Sequence, residues 1–420
     1  MMHQGTMPIR FAYSSGTLGL NQAERSEIRN SFLALKRAPV IVQAMPSIDA
    51  GGAEATALWA AEVAAVAGGR SIVASGAGPA ERLKRFGAQH LMVSLERSGP
   101  LAASSNIFRL KKLIEETKAD ILHVRSREIA WAALQAAQDS RCMVVTSCGD
   151  DNVFSNVIRD AGSLADGDCI VAGSNHVKNL IKKADIEKGQ RVAVIPDGAD
   201  LTHYCAESVS AERLAHIARI WGNLEEPSPI ILAPGDIGSL RGQTELVRAL
   251  AIITQNEPRC SDVTLILAGS VGRSDPYARE LSRLVSNFRL KNRVFIADQL
   301  EDLPAAMLMA DLVASVPNQP LGQDTFAAMA AALGKPVVGA YHGATAETVE
   351  DDVTGRLCSP VRPDSIAAAC TDILTLSAAD RTIMARNARL RAEKLFSARK
   401  SALALSRLYG ALLNSSEKNL

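Results

Sequence analysis

A chain of 420 residues exceeds what one hydrophobic core usually supports, about 250–300 residues, so two domains are expected. Its 46 Lys and Arg against 45 Asp and Glu leave a formal net charge of +1, so no global field points to nucleic acid; a hydrophobic fraction of 47% with only 4% aromatics suits an α/β protein with buried parallel strands. Seven cysteines, at 142, 148, 169, 205, 260, 358 and 370, form no C-x-x-C pair and sit beside no His at ligand spacing, which predicts a reducing cytoplasm and no metal, and no run approaches the ~18 apolar residues of a spanning helix.

Residues 1–37 are mixed and polar. They carry a helical segment from Gln22 to Lys36 with Ile28, Phe32 and Leu35 on one face. This reads as an N-terminal extension without chemistry, with a membrane-surface or partner-docking helix as the alternative.

From Pro39 the pattern is regular. Val40–Val42 is a first buried strand, Asp49–Glu54 a loop containing Gly51 and Gly52, and Ala55–Ala67 an Ala-rich helix. Strand-like runs follow at Ser71–Ser75, His90–Ser94, Asp120–Val124, Met143–Ser147 and Cys169–Ala172, with helices between them at Ile107–Thr117 and Ile129–Asp139. Strands separated by helices of this length specify a parallel sheet with right-handed crossovers. A second series starts at Ile230 and runs through Thr264–Ala268, Arg293–Ile296, Leu312–Ser315 and Pro336–Gly339. The predicted organisation is therefore an extension to 37, a first domain over 38–200, a hinge over 201–222, a second domain over 223–385, and a terminal helix over 386–420 that packs back on the first domain.

The stretch Ile230–Leu250 punctuates the second series. An apolar run stops at Pro234-Gly235, crosses a turn containing Gly238, Arg241 and Gly242, and resumes at helical spacing with Leu246, Val247 and Leu250. Strand, tight loop and helix start form a geometry that cradles phosphate, because the first helix N–H groups are unpaired and glycine admits a ligand close to the backbone.

Several motifs together resemble the GT-B glycosyltransferases, and within them glycosyltransferase family four, the retaining nucleotide-sugar enzymes. They are Gly51-Gly52-Ala53-Glu54 after the first strand, Asp120-Ile121-Leu122-His123-Val124-Arg125-Ser126-Arg127 at a strand end, and Val194-Ile195-Pro196-Asp197-Gly198-Ala199-Asp200 entering the hinge. Leu267-Ala268-Gly269, Gly334-Lys335-Pro336 and His342–Val349 followed by Thr354-Gly355 complete the set. The resemblance covers Pro39 to the end of the chain. It implies an α/β fold of two Rossmann-like, doubly wound parallel-sheet domains facing a cleft, with a nucleotide-sugar donor on the second domain and a glycan or lipid-linked acceptor on the first. The nucleotide sugar is a co-substrate, and neither cofactor nor metal is implied.

Carried onto this chain, the resemblance assigns Arg241 and Asp324 to catalysis, and Gly235, Asp236, Gly238, Gln319 and Gly322 to donor binding. On the acceptor side it assigns Gly51, Gly52, Glu54, Arg125, Arg127 and Cys148. Five positions depart from the family's pattern. Asp236 stands where relatives usually carry Arg, and Arg241 where they carry Lys. The first of two usual Glu positions falls on Leu321 or Gln319 and the second on Met329, leaving Asp324 as the only acid between Ser315 and Gly334; Cys148 stands where relatives often carry His.

The function implied is transfer of a sugar from a nucleoside-diphosphate donor in bacterial cell-surface polysaccharide or lipopolysaccharide assembly. The location implied is cytoplasmic, with peripheral contact at the inner membrane left open. The competing reading is a catalytically inactive GT-B protein that scaffolds or regulates a partner glycosyltransferase. Asp324 as a helix N-cap, Ala327–Leu333 as a buried helix and His123 as a packed strand residue are the plain structural expectations at those positions.

Overall fold

A computed structural model of the chain describes residues 18–47, 52–76, 80–95, 100–148, 167–183, 191–221, 228–269, 276–297 and 302–418. Two compact units emerge. One comprises the described part of Ser14–Asp197 together with Ala398 onward, and the other Gly198–Ser397.

The first unit is built on a seven-stranded sheet. Its strands are β1 (Val40–Ala44), β2 (Arg70–Ser75), β3 (Ala88–Met92), β4 (Ile121–Val124), β5 (Met143–Cys148), β6 (Cys169–Ala172) and β7 (Arg191–Val194), in the order β3-β2-β1-β4-β5-β6-β7, with every pairing parallel. Alternation along the strands sorts side chains between faces. Val40, Val42, Ala44, Leu122 and Val124 turn to helices Pro100–Thr117 and Arg127–Ala137, where they bury Leu110, Leu113, Ile129 and Ala133 in a continuous apolar core. The opposite face of β1, β4 and β5 carries Gln43, His123 and Ser147 and is covered by helices Gly52–Val66 and Ala398–Lys418.

The second unit has six parallel strands: β8 (Ile230–Pro234), β9 (Thr264–Ala268), β10 (Val294–Ala297), β11 (Leu312–Ser315), β12 (Val337–Ala340) and β13 (Gly355–Cys358), in the order β10-β9-β8-β11-β12-β13. Near-continuous apolar strands such as Ile230–Ala233 are what a parallel sheet covered on both faces requires. Helix Thr325–Ala332 is apolar all round and buried from Ala327 to Ala332, as expected. It ends on Gly334 in the left-handed conformation (φ 69°), where Lys335 N–H reaches Ala330 O at 2.9 Å and Gly334 N–H reaches Ala331 O at 2.9 Å.

The unit boundaries differ from those read in the sequence. Residues 201–221 are part of the second unit rather than a hinge: helix Ala211–Ile220 buries Ile217, and Arg213 grips Asp302 through two bonds of 2.6 and 2.7 Å. The long terminal helical stretch is two helices, Ala378–Leu395 in the second unit and Ala398–Lys418 in the first. The break is fixed by Ala199 N–H donating to Phe396 O at 2.7 Å and by a bridge between Ala199 and Ser397, so the chain passes out of the second unit at 397/398 close to where it enters at 197/198.

The described part of the N-terminal extension is integral to the first unit. Helix Gln22–Ser31 packs on Ala398–Lys418, Leu18 N–H donates to buried Glu62 at 2.7 Å, and Arg407 pairs with Glu27 at 2.5 Å. Strands β7 and β13, at one edge of each sheet and four residues long, carry too little pattern to stand out in the sequence.

Candidate functional site

Each sheet grows outward in both directions from one point, between β1 and β4 in the first unit and between β8 and β11 in the second. Loops leaving the carboxyl ends of strands at such a switch point diverge and leave a crevice for ligand.

In the second unit the two diverging loops are locked together. Asn318 N–H donates to Leu240 O at 3.1 Å and Asn318 Nδ2 to Ser239 O at 2.8 Å, joining the loop after β11 to the turn after β8. Gly242 sits left-handed (φ 75°) at the N-cap of helix Gln243–Asn256, and a Cβ there would lie 2.0 Å from Val316 O. Gly242→Ala is therefore expected to destabilise the protein by about 3 kcal/mol or more, from left-handed strain and backbone collision together; urea unfolding measures it, and a loss below about 1 kcal/mol would mean the loops separate without cost.

Gly235 also has positive φ (126°), and its carbonyl lies where a Cβ on Gly269 would be, 2.0 Å away. Gly238, by contrast, has nothing within 4 Å of a modest side-chain addition, so its backbone faces open space. Asp236 is exposed, Arg241 is half-buried with its N–H on Gly238 O at 3.0 Å, Gln319 is exposed and Gly322 is buried.

Two expectations about this rim change. The start of helix Gln243–Asn256 is not an open anion site: Thr244 N–H is taken by Tyr277 Oη at 3.2 Å, and Glu245 stands in the first turn, accepting from Thr244 Oγ1 at 2.7 Å. An acid in the first turn already answers the helix dipole. Asp324 is buried and turned inward. Its carboxylate caps Ala327 N–H at 3.0 Å and accepts from Ser315 Oγ at 2.7 Å and Thr345 Oγ1 at 2.6 Å, so it clamps β11 to helices Thr325–Ala332 and Gly343–Thr348 and fills the N-cap role that the sequence offered beside the catalytic one.

Gly343, also left-handed (φ 65°), packs against Leu321, whose carbonyl accepts Ala344 N–H at 2.8 Å. The last carbonyls of that short helix, Glu347 and Thr348, are held by Arg391 at 2.8 and 2.9 Å. Leu321 and Met329 are both buried apolar residues, so the second family Glu position is core here.

At the switch point of the first unit, Gln43 lies opposite His123 across β1 and β4, and Arg125 follows two residues on. That period places Arg125 beside Gln43, to whose Oε1 it donates at 2.7 Å, while Nη2 donates to Thr56 O at 3.1 Å and Gln43 Nε2 to Ala57 O at 2.9 Å. His123, fully buried, bonds Tyr409 Oη through Nδ1 and Ser147 Oγ through Nε2, both at 2.6 Å. Nothing in the sequence signals Tyr409, 286 residues away.

Burial, and next the charge of Arg125, holds the His123 pKa well below its ordinary value, while burial pushes the Tyr409 phenol up to about 12. Neutral His123 thus favours the fold above pH ~6.5, and that contribution is lost as the pH falls below it. Asp197 works in the opposite sense. Burial pushes its carboxyl up to about 7 against the pull of Arg125, so its share of stability is complete below pH ~4 and lost as the pH rises through 7. Asp197→Asn is expected to melt higher than the parent above pH 7 and to lose that advantage towards pH 4; a pH-independent difference would show that Asp197 ionises as an ordinary carboxylate.

Gly51 lies outside the described residues. Gly52 and Glu54 fall in the first turn of helix Gly52–Val66, Arg127 begins helix Arg127–Ala137 and Cys148 ends β5; the side chains of these four lie outside the described residues.

Comparison with known proteins follows the same division. Residues 50–203 match the model described as Glycosyltransferase Family 4, and residues 219–391 the one described as Glycosyl transferases group 1. The chain belongs to glycosyltransferase family four. Among curated relatives, D-inositol 3-phosphate glycosyltransferase of Salinispora tropica is 30% identical over 239 residues, 56% of this chain and 49% of that protein. The Nocardia farcinica protein of the same name is 31% identical over 206 residues, 48% of this chain and 44% of that protein. The chain spans about half the length of the curated relatives it matches.

Solved structures extend the likeness in fold to nearly the whole chain, which makes the architecture GT-B. A glycosyltransferase from Rickettsia africae superposes with a TM-score of 0.79 at 22% identity, covering 91% of this chain and 100% of that one. HepE of Anabaena, solved in complex with UDP-glucose, superposes at 0.73 and 23% identity, covering 90% and 99%. No helix among the described residues is long and apolar enough to cross a membrane.

Proposed function

We propose that this family-four protein transfers a sugar from a nucleoside-diphosphate donor to a hydroxyl of a glycan or lipid-linked acceptor, with retention of configuration, in bacterial cell-surface polysaccharide or lipopolysaccharide assembly. The observation that carries the reading is the rigid rim at the β8/β11 switch point, where Arg241 and the open backbone at Gly238 lie on one turn. Neighbours of the same fold solved with UDP-glucose support a donor of that class.

Departure of the diphosphate needs preorganised positive charge where negative charge develops. With the first N–H groups of helix Gln243–Asn256 partly occupied and Asp324 turned inward, that task falls mainly on Arg241 and on backbone N–H groups of the Gly235–Gly238 turn. In the first unit Arg125, anchored by Gln43 and Thr56, supplies fixed positive charge for an anionic acceptor. Peripheral membrane contact would bring such a protein to a lipid-linked acceptor.

A second reading has its own support. Met329, at the second of the usual Glu positions, is wholly buried, and Asp324, the only acid of that stretch, is committed to the scaffold; this favours a non-catalytic scaffold or regulator of a partner glycosyltransferase. Calorimetric titration with UDP, GDP, ADP and their sugar conjugates separates the two. Binding followed by release of free nucleotide with cell-envelope acceptors is the expected result for the enzyme, binding without turnover favours the scaffold, and no binding to any of them sinks the donor site altogether.

A further inference from the structure

We infer that Gln243 and Tyr277 are positioning residues for the donor diphosphate, a hydrogen-bond relay that fixes the turn carrying Gly238 and Arg241. The inference rests on the reading of that turn as the donor site.

The relay runs in one direction through four groups. Thr244 N–H, in the first turn of helix Gln243–Asn256, donates to Tyr277 Oη at 3.2 Å. Tyr277 Oη donates to Gln243 Oε1 at 3.2 Å, and Gln243 Nε2 donates to the main-chain carbonyl of Asp236 at 3.0 Å. Gln243 is only 3% exposed, and a buried amide needs partners for both its oxygen and its nitrogen. Here both are supplied, one from helix Pro276–Asn287 and one from the turn itself. Links in such a chain polarise one another, so it behaves as one unit.

Apolar packing fixes what lies on either side of the turn, with Ile231 and Ala233 in β8 and Leu246, Val247 and Leu250 in the helix all in the core. The turn has less to hold it, since Asp236, Ser239 and Leu240 are exposed and Ile237 alone of its side chains joins the core. Besides Ile237 its tethers are polar: Asn318 on the carbonyls of Ser239 and Leu240, Arg241 N–H on Gly238 O, and Gln243 on the carbonyl of Asp236. The first two bind the far half of the turn. Gln243 binds the near half, directly after Gly235, whose positive φ gives that end its freedom. By occupying Thr244 N–H, the relay also diverts an anion from the helix start and leaves it to Arg241 and Gly238, whose placement the same relay sets.

Tyr277→Phe removes the hydroxyl and keeps the ring, and Gln243→Met keeps the unbranched shape and removes both bonds. The full-length protein, each single variant and the double variant are titrated with UDP, with donor KM and kcat measured where turnover is detected and the apo melting temperature recorded alongside. Each single variant is expected to weaken UDP about tenfold, to raise donor KM with kcat little changed, and to leave the double variant no worse than the poorer single, because the links act in series. UDP affinity unchanged in Tyr277→Phe, whatever its melting temperature, overturns the inference while leaving the donor reading standing, and so do losses that simply add. A parent protein that binds no nucleoside diphosphate overturns the donor reading and this inference with it.

Discussion

Asp324→Ala is expected to destabilise the second unit by about 4–5 kcal/mol. The change removes a helix N-cap, worth about 1 kcal/mol, and strands the hydroxyls of Ser315 and Thr345, at about 1–2 kcal/mol each where burial denies them water. Thr345 is wholly buried, so its share falls at the upper end. Urea or thermal unfolding gives the magnitude. Asp324→Asn retains one carbonyl oxygen for Ala327 N–H but cannot accept from both hydroxyls in the same way, so about half the loss is expected, with nucleotide affinity kept in the folded protein. Parent-like melting combined with lost nucleotide binding in Asp324→Asn would reverse the assignment and make the carboxylate a ligand group.

Asp236→Arg is expected to tighten binding of a nucleoside diphosphate about tenfold. Two unit charges ~6 Å apart at an effective dielectric of ~20 interact by about 3 kcal/mol, and exposure to water reduces this to well under half. Reversal counts the remainder twice, since a repulsion is removed and an attraction added, and about 1.4 kcal/mol is a factor of ten. The backbone of Asp236 is tied through its carbonyl to Gln243, so the substitution changes charge with little displacement of the turn. The gain is expected to shrink as salt is raised from 50 to 300 mM. Affinity that does not respond to the substitution at either ionic strength places the diphosphate away from this turn.

The fold was legible because the βα rhythm is a property of local sequence. Apolar runs such as Ile230–Ala233 and Thr264–Ala268 announce strands buried on both faces, and the helices between them leave only parallel pairing. The Gly235–Gly242 turn was legible for a related reason, since glycine at a strand end marks a backbone that only glycine adopts, and the structure finds positive φ at both ends of it. The side chains that tune the site were less legible. Asp324 offered two roles in sequence, cap and ligand, and the positions of Ser315 and Thr345, on two other elements, supply the partners that hold its carboxylate in the cap.

Unit boundaries shifted for the same kind of reason. The sequence from Ser377 to Leu413 has helical character throughout, and the break at Phe396-Ser397 comes from a pairing with Ala199, almost two hundred residues earlier. The alternation of strands and helices in each series and the family resemblance were therefore legible in sequence alone, because they depend on periodicity and short motifs that each segment carries by itself. The neutral state of His123, the inward clamp of Asp324, and the relay from Thr244 through Tyr277 and Gln243 to Asp236 were decided by tertiary structure, because each depends on desolvation and on hydrogen-bond partners that distant segments bring together.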